Sequence, residues 1–343
     1  MHKNYLRIIP TVVACAVTFD VLANEKLDKC VVEQFKSAND ETTIAQIKEI
    51  CERKIAAKDI ERQSIETPNT FERTGIGSRR VMQEKQTQFD PYVITPHHVN
   101  YILPAITTNN LNRDVYFFFG GAEENFENVE AKFQVSIKVP LNYTSMLIEG
   151  DGLYFGFTLQ AWWQIYSQNI SKPFRETNYQ PEVYYIAPMD SEVFGGNTAF
   201  KVGIEHQSNG QSQILSRSWN RVYANFLYEK NNFALSYRYW HRLSEDEKEF
   251  EFDSVGDDNP DIEDFLGSFE LGLVYKWQHL EFSFSGRQNF STHRGSAEFS
   301  MTFPLWGKMR GYATAFDGYG ESLIDYNYSQ TRFGLGVALN NVF

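Results

Sequence analysis

His206, Ser208 and Asn220 bring an imidazole, a hydroxyl and a carboxamide into one short stretch of the chain. A strand alternates its side chains, so Phe200, Val202, Ile204, His206 and Ser208 share one face. On the return run, Ser218, Asn220, Val222, Ala224, Phe226 and Tyr228 do the same. Residues two apart on a strand have Cα atoms roughly 6.5–7 Å apart, which lets the His206 ring reach the Ser208 hydroxyl. If the two runs pair antiparallel with residue numbers summing to about 426, His206 faces Asn220 and Ser208 faces Ser218. Asn220 can then accept from the far ring nitrogen of His206. Nucleophile, base and orienting group are the parts of a hydrolase triad, with Asn in the third place. The competing reading is that all three are rim residues, where polarity costs little. That reading wins for a lone His or Ser at a strand end; three in compatible positions shift the weight to chemistry.

The trio stands on an otherwise apolar face, while Lys201, Glu205, Arg221 and Asn225 occupy the opposite one. The same two-faced alternation runs from about Tyr92 to the C-terminus. Twelve strands are predicted, near 97–109, 128–140, 152–165, 178–188, 197–208, 218–229, 231–243, 265–276, 278–289, 294–304, 309–318 and 331–343. One face is aromatic and aliphatic in nearly every strand. The other carries charges of both signs, among them Lys132, Glu205, Arg221, Arg238, Glu281 and Glu298. Aromatic residues make up 15% of the chain, yet no apolar run after the first residues is long enough for a membrane helix. Apolar outside, polar inside and rich in aromatics describes a membrane barrel, which must close because lipid leaves no backbone group unpaired. The fold class is therefore all-β, a 12-stranded antiparallel transmembrane β-barrel. With both chain ends periplasmic, loops 110–127, 166–177, 209–217, 244–264 and 319–330 fall on the outer side.

Residues 1–23 read as a secretory signal, with a basic start, a short apolar run and Val21-Leu22-Ala23 before the cut. Residues 24–90 form a charged N-terminal periplasmic segment, helical and in part disordered, ahead of a barrel over 91–343. Ile44, Ile47, Cys51 and Ile55 recur at helical steps, and Cys30 and Cys51, the pair left in an exported chain, are expected to clip a helical hairpin, with two free thiols as the alternative. Glu61–Phe89 shows no period and reads as linker. The net charge of −12 is concentrated: Glu245–Asp264 holds eleven acidic residues and one lysine, and nucleic acid is excluded as a partner. That run reads as a solvated loop, with divalent-cation bridging as the functional alternative. His97 and His98 are adjacent, so on a strand they point apart and make a poor metal pair. His241, His279 and His293 read as surface residues. Trp162, Trp163 and Trp219 read as girdle aromatics.

The stretch GIEHQSNGQSQILSRSWNR around the trio resembles the active-site segment of the outer-membrane phospholipase A family. The family's His-x-Ser-Asn-Gly run stands at His206 to Gly210 and its Ser-Arg-Ser-Trp-Asn run at Ser216 to Asn220. ISKPFRETNYQPE from Ile170 to Glu182 resembles its next most distinctive run, and PHHVNYILP from Pro96 to Pro104 its first strand. The last strand ends Phe333, Leu335, Val337, Leu339, Asn341, Phe343, similar to the insertion signal of outer-membrane barrels, with Asn341 where an aromatic is common. The resemblance covers about residues 92–343. It implies Ser208 as nucleophile, His206 as base, Asn220 orienting His206, and the Gly210 amide in the oxyanion hole. It further implies Ca2+ shared across a homodimer: Ser171 from one subunit, the Ser216 hydroxyl and the Gln211 carbonyl from the other. The family commonly has Arg at the position of Gln211. The implied substrate is a phospholipid ester in the bacterial outer membrane, with the active site toward the outer leaflet. The rivals are a non-enzymatic channel or structural barrel, which needs its polar residues facing the lumen, and another lipid hydrolase such as a lipid A deacylase.

Overall fold

The computed structural model describes residues 30–33, 35, 43, 46–51, 53–54, 75–90, 93–119, 122–250, 253, 256–307 and 309–340. The chain divides into two compact units, Met1–Asp59 and Ile60–Phe343. In the first, residues 30–33 and 46–51 are helical. Cys30 and Cys51 are disulfide-bonded, with Cα atoms 5.7 Å apart. Thr43 and Gln46 cap the second helix reciprocally: the Thr43 amide donates to Gln46 Oε1 at 2.9 Å and the Gln46 amide to Thr43 Oγ1 at 3.4 Å. The expected signal at 1–23 and the terminal Phe343 lie outside the described residues.

The second unit is a closed antiparallel barrel of twelve strands. They are β1 (Tyr101–Thr108), β2 (Val129–Pro140), β3 (Gly152–Trp163), β4 (Phe174–Val193), β5 (Gly196–Ser208) and β6 (Ser218–Lys230), followed by β7 (Phe233–Leu243), β8 (Phe269–Trp277), β9 (Leu280–Asn289), β10 (Arg294–Pro304), β11 (Arg310–Tyr319) and β12 (Ser329–Ala338). Neighbours in sequence pair all the way round, and β12 closes on β1. β1 is shorter than expected. Its register slips between Leu103 and Ile106, around Pro104, which has no N–H to give a ladder. Upstream, Thr95–Pro96 makes only a two-residue bridge to Lys138 and Ile137. β4 is longer than expected, because pairing with β3 continues to Phe174 opposite Trp163.

The alternation sorts the wall as the sequence implied. Val135 and Val139 are exposed, while Lys132, Gln134 and Ser136 on the same strand are buried. The lumen is filled, not open. Arg175 lies 3.0 Å from both Glu130 and Asp325, Arg332 lies 2.6 Å from Glu130 and 2.8 Å from Glu321, and Lys132 lies 2.7 Å from Glu321. Replacing one member of such a buried set costs about 3–5 kcal/mol, since its partner is left charged and unpaired. At the end bearing the long loops, the short helix Ile262–Leu266 turns inward and packs with Trp219, Trp240 and Leu323.

The other end is closed by a helix that falls inside the stretch read as linker. Ile76–Thr87 is helical, and Ile76 packs against the inward residues Ala234 and Val274. Its N-terminus has no side-chain cap of its own. Glu229 of β6 supplies one, accepting from the Gly77 amide at 2.7 Å and the Ser78 amide at 3.1 Å. Glu84 reaches Lys138 at 2.7 Å, and Arg80 donates to the Pro96 carbonyl at 2.8 Å. Periodicity missed this helix because its partners are charges on the barrel, not an apolar stripe.

Candidate active site

β5 ends at Ser208 and β6 begins at Ser218, so the trio sits where this hairpin reaches the long-loop end. The register pairs His206 with Asn220 and Ser208 with Ser218. His206 Nδ1 and Asn220 Oδ1 are 2.9 Å apart. A carboxamide oxygen only accepts, so this contact assigns the proton to Nδ1 and leaves Nε2 as the base. All three residues lie on the outer face, half-buried, between exposed Ile204 and Leu243. The intervening residues face inward. Gln207 accepts from Trp219 Nε1 at 2.9 Å, Arg221 pairs with Glu205, and Arg238 reaches Glu205 at 2.5 Å. The wall that carries the trio is thus braced from behind by buried ionic groups.

Loop 209–217 is built around Asn209. Its backbone amide donates to the Arg217 carbonyl at 3.0 Å, and its Oδ1 accepts from the Arg217 amide at 3.0 Å and the Gln211 amide at 3.2 Å. Its Nδ2 donates to the Leu215 carbonyl at 2.8 Å. Gly210 follows with φ of 65°, a left-handed conformation that suits glycine. A Cβ there would stand 3.1 Å from the Tyr179 ring. The Arg217 guanidinium ties the loop further, donating to the Ile214 carbonyl at 2.9 Å and the Ser216 carbonyl at 2.7 Å. It stacks near Tyr326, whose phenol is pushed up by burial and by the Asp261 carboxylate to which it donates at 2.6 Å.

Part of the acidic run is tied to the site, through Glu245, Asp257 and Asp258, while Asp246, Glu247 and Glu249 are exposed as a solvated loop would be. Ser216 Oγ donates to Asp258 Oδ2 at 2.6 Å, and the Ser218 amide donates to Asn259 Oδ1 at 3.0 Å. Arg242 holds Asp257 at 2.5 Å, and Lys248 pairs with Asp258. Asn220 Nδ2 donates to Glu245 Oε1 at 3.0 Å. Nothing in the local sequence singled out Glu245 from the ten other acids of the run. Ser171 lies exposed in the β3–β4 loop, and Gln211 is exposed in loop 209–217, both at the same barrel end. Ser171, Ser216 and the Gln211 carbonyl offer oxygen alone, and Asp258 sets a carboxylate against the Ser216 hydroxyl; that donor chemistry suits a hard cation such as calcium.

Two expectations fail. Trp162 and Trp219 are not girdle residues: both are fully buried on the inward face. Trp219 shares the inward parity of Arg221, whose guanidinium stacks 3.7 Å from its ring centroid, and Lys132 lies 4.7 Å from that of Trp162. Trp163 does face outward and donates to the Lys172 carbonyl at 2.9 Å. His97 and His98 do not point apart either. They precede the strand, and their ring centroids approach to 4.1 Å. His97 Nε2 lies 2.5 Å from Glu182, and the ligand atoms of His97, His98 and Glu182 all lie within 4.8 Å of one another. Lys201 meets the same carboxylate at 3.1 Å, so the group completes an ion network in the lumen. His241, His279 and His293 are exposed as expected.

A family model described as phospholipase A1 matches residues 78–339. A phospholipase A1 of Klebsiella pneumoniae is 34% identical over 259 residues, spanning 75% of this chain and 86% of that protein. The outer-membrane phospholipase A of Escherichia coli superposes with a TM-score of 0.68 at 34% identity, covering 74% of this chain and 95% of that one. The Salmonella typhi outer-membrane phospholipase, a dimer with bound calcium, gives the same TM-score and identity and is covered to 94%.

Proposed function

This chain belongs to the phospholipase A1 family, a family of carboxylic ester hydrolases, and we propose that it cleaves acyl esters of glycerophospholipids, and of lysophospholipids, in the bacterial outer membrane. The observation that carries the mechanism is the 2.9 Å contact between His206 and Asn220 on the lipid-facing wall, two residues from Ser208. Ser208 Oγ attacks the ester carbonyl as His206 Nε2 takes its proton. The Gly210 amide donates to the oxyanion that forms. His206⁺, held through Nδ1 by Asn220, returns the proton to the departing glycerol oxygen. Water then enters, gives its proton to His206 and attacks the acyl-Ser208 ester. The fatty acid leaves and Ser208 recovers its proton.

Calcium would be held by Ser216 and the Gln211 carbonyl of one copy with Ser171 of a second copy, and when bound it adds positive charge beside the oxyanion. A site on the outer wall is half a cleft, so a second barrel against it supplies the rest. That makes the homodimer the active form, with its site toward the outer leaflet. The Salmonella typhi relative, a dimer with bound calcium, supports both parts. The outward parity of His206, Ser208 and Asn220, together with the filled lumen, tells against the channel reading.

The test is fatty-acid release from defined phospholipid in detergent micelles. Ser208→Ala should lose about 10³-fold or more of turnover while the barrel still folds. Chelator should suppress the wild type and added calcium restore it. Turnover by Ser208→Ala, or full activity in chelator, sinks the corresponding assignment.

A further inference from the structure

Asn220 differs from the Asp of the commoner triads in two ways that matter to His206. It is neutral, so it supplies no counter-charge to an imidazolium. It is also two-ended, and a flipped carboxamide would present Nδ2 to the ring and force the wrong tautomer. Glu245 answers both. Its Oε1 accepts from Asn220 Nδ2 at 3.0 Å while Asn220 Oδ1 meets His206 Nδ1 at 2.9 Å. An ionised carboxylate has no proton to give, so only the NH2 end of the amide can face it. We propose that Glu245, resting on the triad reading above, is a positioning residue that locks the Asn220 amide with Oδ1 toward His206 and lends its negative charge to the imidazolium through that amide.

The surrounding charges are committed elsewhere. Glu205 of β5 pairs with Arg221 and Arg238 on the inner face, Arg242 of β7 pairs with Asp257, and Lys248 of the loop pairs with Asp258. His241 of β7 is opposite Val222 and exposed, Tyr179 of β4 is opposite Ser208, and Asp246 and Glu247 are exposed. Among the described residues, Glu245 is the carboxylate bonded to Asn220. A chain of polarised hydrogen bonds strengthens each link, so the loop carboxylate acts at one remove from the ring. The acidic run therefore contains one residue whose position, not its mere charge, serves the reaction.

The experiment measures kcat, KM and the pH profile of kcat/KM in detergent with saturating calcium. The proteins are wild type, Glu245→Gln, Glu245→Asp, Glu245→Ala, Asn220→Ala and the Glu245→Ala/Asn220→Ala double variant, with Ser208→Ala as the control and thermal unfolding checked for each. Glu245→Ala should lower kcat about tenfold with KM within about twofold. Its acid limb in kcat/KM, where His206 becomes protonated, should move to lower pH because a nearby negative charge has gone. Glu245→Asp should recover part of the loss. Glu245→Gln can still accept from Nδ2 but carries no charge, so it should move the acid limb as Glu245→Ala does. In the Asn220→Ala background the Glu245→Ala change should add little, since the two act as one chain.

An unmoved acid limb in a folded Glu245→Ala, unchanged kcat, or full additivity with Asn220→Ala overturns the proposal. Those results leave the triad standing if Ser208→Ala is inactive and Asn220→Ala is impaired. An active Ser208→Ala instead removes the triad reading itself.

Discussion

At the scale of single residues, the placement of His206, Ser208 and Asn220 on one face was legible because strand parity is rigid. Once His206 and Ser208 are two apart and the return strand is antiparallel, their shared face follows from geometry. What parity cannot show is contact with residues far along the chain. Glu245 reaches Asn220 from a loop, and Glu229 reaches a helix more than a hundred residues upstream. The indoles of Trp162 and Trp219 were misplaced because composition suggests girdles, whereas their inward parity and the neighbouring cations put them in the lumen. Gly210 gives a direct test of the proposed oxyanion donor. Its left-handed φ and the nearby Tyr179 ring leave no strain-free place for a methyl group. The left-handed conformation costs a non-glycine residue about 1–2 kcal/mol, and relief would swing the amide. Gly210→Ala should therefore lower kcat tenfold or more with a modest change in KM, read by steady-state fatty-acid release.

At the scale of elements, the strands were readable and the helix Ile76–Thr87 was not. A strand pairing two neighbours announces itself by period two. This helix instead relies on Glu229 for its cap, Lys138 for its last turn and Ile76 alone for an apolar anchor. Its dependence on one carboxylate is measurable. Glu229→Ala removes the acceptor for two N-terminal amides, which are then left without a side-chain cap at about 1–3 kcal/mol. Amides of residues 77–80 should exchange faster by about ten- to a hundredfold. Turnover should stay near wild type, because Glu229 and the proposed catalytic loop 209–217 lie at opposite ends of β6, a distance of roughly 35–40 Å at strand rise. Unchanged exchange would mean that the tertiary contacts of Arg80, Glu84 and Ile76 hold the helix without its cap.

At the scale of the whole barrel, closure, inward charge and strand number followed from sequence with little ambiguity, since lipid allows few alternatives. How the lumen is filled did not follow. The short helix Ile262–Leu266 enters from the long-loop end, and its residues Ile262, Phe265 and Leu266 join Trp219 and Trp240 in one cluster. At the other end Ile76 packs against Ala234 and Val274, and the Arg175, Arg332 and Lys132 networks fill more of the lumen. A polar cavity of about 230 Å³ remains in the interior, lined in part by Gln160, Arg238 and Glu298. Such an interior should not pass ions. Purified protein in a planar lipid bilayer should show no stepwise conductance in salt, and steps of porin size would show that the plugs open.

The back-to-back alternation on β5 and β6 also separates two kinds of heritable change. Glu205, Gln207, Trp219 and Arg221 keep the wall in shape, whereas Val202, Ile204, Val222 and Ala224 stand on its outer face. A combinatorial library confined to the second set would sample new acyl-chain preferences without disturbing the brace behind His206 and Asn220. On the proposed function, substitutions confined to that one face of two strands, one position in two, should shift the acyl chains released while the scaffold stays fixed.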